Sequence, residues 1–292
     1  EVPVLLEKQG LDEVVLRKLD VDATNHPLDM AEWHDMVERM LKDYDRKVTL
    51  GVVGKYVELQ DSYISLTEAL RHAAMANEAN LDIKWINAEL VEEGEIDLEA
   101  ELKDVDCILV PGGFGSKGLE GKISAIKYAR ENKVPFFGIC LGMQCAVVEY
   151  ARHIGMTGAN TTEANAETAY PVIDILPDQQ DVEEKGSMRL GLYPCKVAAG
   201  SLTEKAYGEA LIYERHRNRY EVNNAYREEL EKNGLVIAGA LPNGRLVEIV
   251  ELPTDVHPWF MGVQFHPELK SRPTNPHPLF RDFIAAALKE QK

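Results

Sequence analysis

The sequence has little cysteine, four residues in 292. A chain of this length with so few is not a disulfide scaffold. No run of about 18 apolar residues occurs, which excludes a transmembrane helix. No basic segment followed by an apolar stretch opens the chain, so no secretory signal is read. Basic charge is also scarce: 32 Lys and Arg stand against 49 Asp and Glu, a net charge of −17. Binding a phosphate backbone needs a basic face, so neither nucleic acid nor a membrane is an expected partner. There is no internal repeat and no low-complexity tract. The first residue is Glu1 rather than Met, as expected of a fragment or a processed product. Together these absences point to a soluble protein of a reducing compartment, cytoplasmic by default.

An apolar content of 45% is ordinary for a chain with a real core. The length allows one large domain with an extra arm. Residues 1–45 carry two helical patterns, "LDEVVLRKLDV" and "DMAEWHDMVERMLKDY", with Asp29 as a cap for the second. No strand signal appears there, and this stretch is expected to be an arm or linker. From residue 46 to 292 a domain is expected. It begins with alternating strands and helices: "VTLGVVG", then "DSYISLTEALRHAAMANEAN" as a helix, "DIKWINAE", "VDCILVPGG", a helix from "SKGLEGKISAIKYARENK", "VPFFGI", and the helix "LGMQCAVVEYARHIG". Such alternation predicts a central, mostly parallel sheet with helices on both faces, an α/β fold of flavodoxin-like type. Its sites should lie at the carboxyl ends of strands. The second half reads as polar surface loops from Asn160 to Gly191. Short strands follow ("LYPCKVA", "RHRNRYEVN", "VIAGAL", "RLVEIVEL", "HPWFMGVQFHPE"), with a closing helix.

One corner holds most of the chemistry. Gly138-Ile139-Cys140-Leu141-Gly142 has the spacing of a nucleophile elbow with cysteine as the nucleophile. A strand-to-helix turn this sharp strains the central residue, and its flanking positions come too close for side chains. A thiol there sits at a helix N-terminus, where the dipole favours the thiolate. The backbone N–H of Leu141 points where an oxyanion would form. An incidental cysteine in a tight turn remains an open reading. A metal pair with Cys145 is disfavoured, because five residues along a helix turn the two thiols to different faces. "PGGFG" after an apolar strand offers a second backbone donor at Gly112 and Gly113. Cys107 and Cys195 read as small buried apolar residues.

A thiol nucleophile needs a histidine. Of eight, His26 and His34 lie in the arm and His72 and His153 on polar helix faces. His266 closes the last strand and starts His266-Pro267-Glu268. In an extended segment residues two apart face the same way, so Glu268 is expected to orient the imidazole.

"PGGFG", "GICLGMQ" and "QFHPE", in this order over roughly residues 48–290, resemble the class I (triad) glutamine amidotransferases. The resemblance implies a catalytic triad of Cys140, His266 and Glu268. "GVVGKYVELQDSYISLTEAL", "GSMRLG" and "ERHRNRYEVNN" resemble in particular the glutaminase half of the CTP synthase family, and the arm resembles the connection from that family's synthetase half. What the resemblance implies about the site is then specific. Gly112, Leu141, Gly142, Met143 and Gln144 would hold L-glutamine through backbone groups. Glu163 would meet its α-amino end and Arg219 would help fix its amino-acid end. On pattern alone Arg215, Arg217 and Arg219 read as one strand face. Phe114 would stack on the guanine of GTP, an allosteric activator. Gly112, Gly113 and Leu141 would form the oxyanion hole. No metal or cofactor is implied for this chain. ATP and Mg2+ would act on UTP in the synthetase half, which is absent, as is any Walker-type phosphate loop. The whole enzyme would be a homo-oligomer. Two other readings stay open: a γ-glutamyl hydrolase on the same fold, and a glutamine-binding regulatory module without turnover.

Overall fold

A computed structural model describes residues 1–22, 28–175 and 188–291. His26 and the Gly186-Ser187 start of "GSMRLG" lie outside the described residues. The sheet strands are β1 (Lys47–Gly54), β2 (Asn80–Asn87), β3 (Cys107–Val110), β4 (Phe136–Ile139), β5 (Asn160–Thr161), β6 (Pro171–Asp174), β7 (Arg189–Val197), β8 (Leu211–Asn218), β9 (Glu221–Val222), β10 (Val236–Ala240), β11 (Val247–Glu251) and β12 (Phe260–Val263). Nine of them form one sheet in the order β2-β1-β3-β4-β12-β11-β10-β7-β8. The first five pair in parallel and the rest antiparallel.

Alternation along the parallel strands explains both covers. In β3, Cys107 and Leu109 face one side while Ile108 and Val110 face the other. In β4, Phe137 and Ile139 oppose Phe136 in the same way. One side is covered by α4 (Ile64–Ala76) and α11 (Pro278–Glu290), through Leu70, Phe280 and Phe283. Phe137 meets Trp259 and Phe280 edge-on, at centroid distances of 5.5 and 5.3 Å. Truncating a fully buried ring such as Phe283 to alanine would cost about 3–5 kcal/mol. The other side is covered by α7 (Leu119–Asn132) and α8 (Leu141–His153). Both faces being covered is why these strands are apolar without a polar alternate.

Three details depart from the sequence reading. The helix expected over residues 61–80 begins as a 3-10 turn, Gln60–Tyr63, and α4 ends at Ala76. Glu78 turns left-handed at φ 53°, and Asn80 is already paired with Lys47 in the sheet. The loops expected from Asn160 to Gly191 contain β5 and β6, which join β9 in a small second sheet. The last strand stops at Val263, before the His-Pro-Glu segment.

Among the described residues of the first 41 are the helices α1 (Val2–Lys8), α2 (Leu11–Lys18) and α3 (Ala31–Leu41). Asp29 accepts from the Ala31 N–H at 3.0 Å, one residue ahead of the helix's formal cap. Within the arm His34 meets Glu7 at 2.7 Å, and Asn80 of the domain holds its end by donating to Asp43 and to the Tyr44 carbonyl. Among the described residues no helix is long and apolar enough to cross a membrane.

Candidate active site

The sheet reverses its winding between β1 and β3, which opens a crevice at their carboxyl ends. A cavity of about 330 Å³ lies there, lined by Tyr63, Gly112, Gly113, Phe114, Cys140, Arg217, His266 and Glu268. Each lining group arrives by a local device. β4 runs straight into α8, and the turn residue Cys140 takes φ 52° and ψ −103°. A side chain with positive φ outside glycine is uncommon, and such strain persists where the surroundings force it. The flanking glycines supply that force. A Cβ on Gly138 would lie 2.7 Å from the Gly142 backbone, and one on Gly142 would lie 2.1 Å from the Val110 carbonyl oxygen of β3. So Gly138 is required by the elbow itself, and Gly142 by the neighbouring strand.

His266 and Glu268 do meet, but not as two residues of an extended strand. Pro267–Leu269 is a 3-10 turn that starts from His266, and it folds the carboxylate back onto the ring. Nδ1 and Glu268 Oε1 are 2.7 Å apart. Nδ1–H donates, so the other nitrogen, Nε2, is left to face the cavity. Nε2 and Glu268 Oε2 are both buried and have no hydrogen-bond partner among the described residues. Burial pulls the imidazolium down, but the Cys140 sulfur and the Glu268 carboxylate outweigh it, and the ring is raised to about 10. Glu268 and the Cys140 sulfur thus favour the protonated form of the His266 ring.

The Gly-rich turn after β3 presses against this pair. A Cβ on Gly112 would lie 2.8 Å from His266 Cε1 and 3.5 Å from Cys140 Cβ, and one on Gly113 would lie 3.4 Å from Leu141 Cδ2. The Gly112 backbone thus packs against Cys140 and Gly113 against the Leu141 side chain, and the first N–H groups of α8 have no partner within the helix. Met143 and Gln144 turn their side chains into the core. Gln144 donates to the Tyr220 carbonyl at 3.0 Å.

Not every residue named from the sequence lines the cavity. Glu163 accepts the Gly115 N–H at 2.8 Å, which ties the Gly-rich turn to the β5 segment. Arg219 lies past the end of β8, not in the strand face shared by Arg215 and Arg217. Arg217 is the arginine that reaches the cavity, and its guanidinium lies 5.5 Å from the centre of the Phe114 ring. Its alternation with Arg215 was visible in the sequence. Its approach to Phe114, about a hundred residues away, was not. Phe114 itself is nearly half exposed at the cavity mouth. Cys145 is buried in α8, where burial pushes its thiol up to about 12. His216 and His277, also buried, bond to Asn218 and Glu214 and take no part in the cavity lining.

The sequence profile of the family "Glutamine amidotransferase class-I" matches residues 58–286. The chain belongs to that family. Its place within the family is with the CTP synthases. It is 56% identical over 293 residues to a CTP synthase of Clostridium kluyveri, and 54% identical over 294 residues to one of Carboxydothermus hydrogenoformans. All of this chain is matched in both, but only 53% and 54% of those proteins, so the chain spans about half the length of the curated relatives. The solved glutaminase domain of Trypanosoma brucei CTPS, with bound acivicin, superposes with a TM-score of 0.76 at 38% identity. That match covers 84% of this chain and 95% of the other.

Proposed function

We propose that this chain is a glutaminase that hydrolyses L-glutamine to glutamate and ammonia through Cys140, His266 and Glu268. The observation that carries the proposal is the strained Cys140 elbow, facing one cavity with a histidine held at 2.7 Å by Glu268. The thiolate attacks the γ-carboxamide carbon. The oxygen that gains charge is met by N–H groups from Gly112, Gly113 and Leu141. His266, already protonated, gives its proton to the departing ammonia, which leaves a γ-glutamyl thioester and a neutral ring. The neutral ring then takes a proton from water as the hydroxide attacks the thioester. The acid leaves, and the thiolate–imidazolium pair is restored. Glu268 holds the ring in one tautomer throughout and stabilises its charge.

Backbone groups at Gly112, Leu141, Gly142, Met143 and Gln144 hold the substrate in this reading. Glu163 and Arg219 serve the two ends of the amino acid, which requires Glu163 to exchange its Gly115 contact or share it. In the complete protein the ammonia passes to a synthetase half, where UTP activated by ATP with Mg2+ becomes CTP, in the cytoplasm and in a homo-oligomer. The similarity to whole CTP synthases supports this. GTP acts as effector with its base on Phe114, which an exposed ring beside the Arg217 guanidinium supports. Four free thiols suit a reducing compartment.

The test is glutamate release from glutamine, with Cys140→Ala as control, beside covalent labelling by acivicin. The parent protein should release glutamate and take label at Cys140, and the variant should do neither. Equal glutamate release by both would refute the assignment.

A further inference from the structure

Gln264 opens the "QFHPE" segment, and nothing so far gives it a task. It is fully buried. Its Nε2 lies 3.6 Å from the Cys140 sulfur, 124 residues away in sequence. Which end of an amide points where is settled by its partners. The Tyr220 carbonyl can only accept, so Gln144 must offer it an NH2 hydrogen, at 3.0 Å. The second hydrogen of that NH2 goes to Gln264 Oε1, at 3.2 Å. Gln264 has then committed its oxygen to Gln144, and its own NH2 faces the sulfur. The orientation thus follows from one backbone carbonyl through two side chains.

The sulfur has a competing neighbour. The Arg217 carbonyl oxygen lies 3.9 Å away. A neutral thiol can donate to that oxygen and an anion cannot. An amide N–H does the reverse, because a bond to a charged acceptor is about twice as strong as one to a neutral one. Out of water both effects grow. Among the described residues the charged or titratable groups that line the cavity with Cys140 are His266, Glu268, Arg217 and Tyr63; His266 interacts with the sulfur, and Glu268 with His266.

We propose that Gln264 is the neutral hydrogen-bond donor that holds the Cys140 sulfur in its anionic form, with Gln144 as the positioning residue that fixes its direction. The role has catalytic meaning only within the glutaminase reading, but it is measurable without glutamine. The probe is iodoacetamide, small and uncharged, with the alkylation rate of Cys140 followed against pH. The other three thiols are raised by burial, so they stay silent at moderate pH. In Gln264→Met, close in volume and without a donor, the midpoint pH should rise by about one unit, a tenfold loss of thiolate below it. Gln264→Asn, which withdraws the donor by one methylene, should move it the same way. Gln144→Met should give a smaller rise, because the amide is then free to turn over. A folded Gln264→Met or Gln264→Asn protein with the parent's midpoint overturns the proposal, even if glutamate release falls. A parent protein with a low midpoint that releases no glutamate would refute the glutaminase reading and leave this one standing.

Discussion

Replacing Gly112 with alanine should separate catalysis from folding. The glycine is not in left-handed backbone, so alanine meets no conformational barrier there. What it meets is the imidazole ring of His266, since its Cβ would stand 2.8 Å from Cε1. Carbon atoms settle at about 3.5–4.0 Å, so the ring has to retreat by roughly 1 Å. It has little room to do so. Nδ1 is held by Glu268 at 2.7 Å, and the backbone N–H of His266 is held by the Arg215 carbonyl at 2.7 Å. A displacement of about 1 Å in a catalytic group costs roughly a hundredfold in rate, near 2.7 kcal/mol in the barrier. Relief of the clash in a half-exposed turn should cost the fold only about 1–2 kcal/mol, or a few degrees in Tm. The assay is kcat/KM for glutamate release, with a thermal melt of the same samples. A Gly112→Ala protein that keeps the parent's kcat/KM would refute the packing argument. One that does not fold would refute the separation.

Gly142→Ala should behave in the opposite way. Its Cβ would lie 2.1 Å from the Val110 carbonyl oxygen, backbone that cannot step aside, so a loss of more than about 3 kcal/mol is expected in denaturant melts. Glu268→Gln keeps the shape and removes the charge that orients and stabilises His266. Glutamate release should fall by about 10³–10⁴, and a loss under tenfold would deny the orienting role. His257 gives a stability test. Its Nδ1 accepts from the Trp259 N–H and its Nε2–H donates to the Ala129 carbonyl, so it is buried neutral, and burial lowers it to about 4. Because the folded state holds the proton less tightly than the unfolded chain, at about 6.5, its contribution is present above that pH. The contribution is lost as pH falls towards 4, a change of about 3 kcal/mol. Chemical denaturation of His257→Asn across this window should show a flatter profile, and an unchanged slope would contradict it.

What could be read early was what neighbours in sequence impose on one another. The glycine spacing around Cys140 carries its own steric reason, so the elbow was legible, and so were the apolar strands that need cover on both sides. The pairing of His266 with Glu268 was legible in outcome but not in cause. An extended segment would let His266 and Glu268 face the same way, whereas Pro267 starts a 3-10 turn that brings the two groups together. β5 and β6 were hidden because strands of two and four residues carry too little pattern to stand out among polar loops. The bond from the Gly115 N–H to Glu163, 48 residues further on, likewise has no local pattern to announce it.

The sequence by itself determined the fold class and the sharp corner at Cys140, because each rests on the pattern of residues a few positions apart. Only the tertiary structure decided which side chains meet at the sulfur. Gly142 is constrained by β3, Arg217 reaches Phe114, and Gln144 and Gln264 meet across 120 residues of chain. Such contacts are fixed by which strands become neighbours in the sheet, and hydrogen-bond partners between distant strands leave no periodicity along the chain to reveal them.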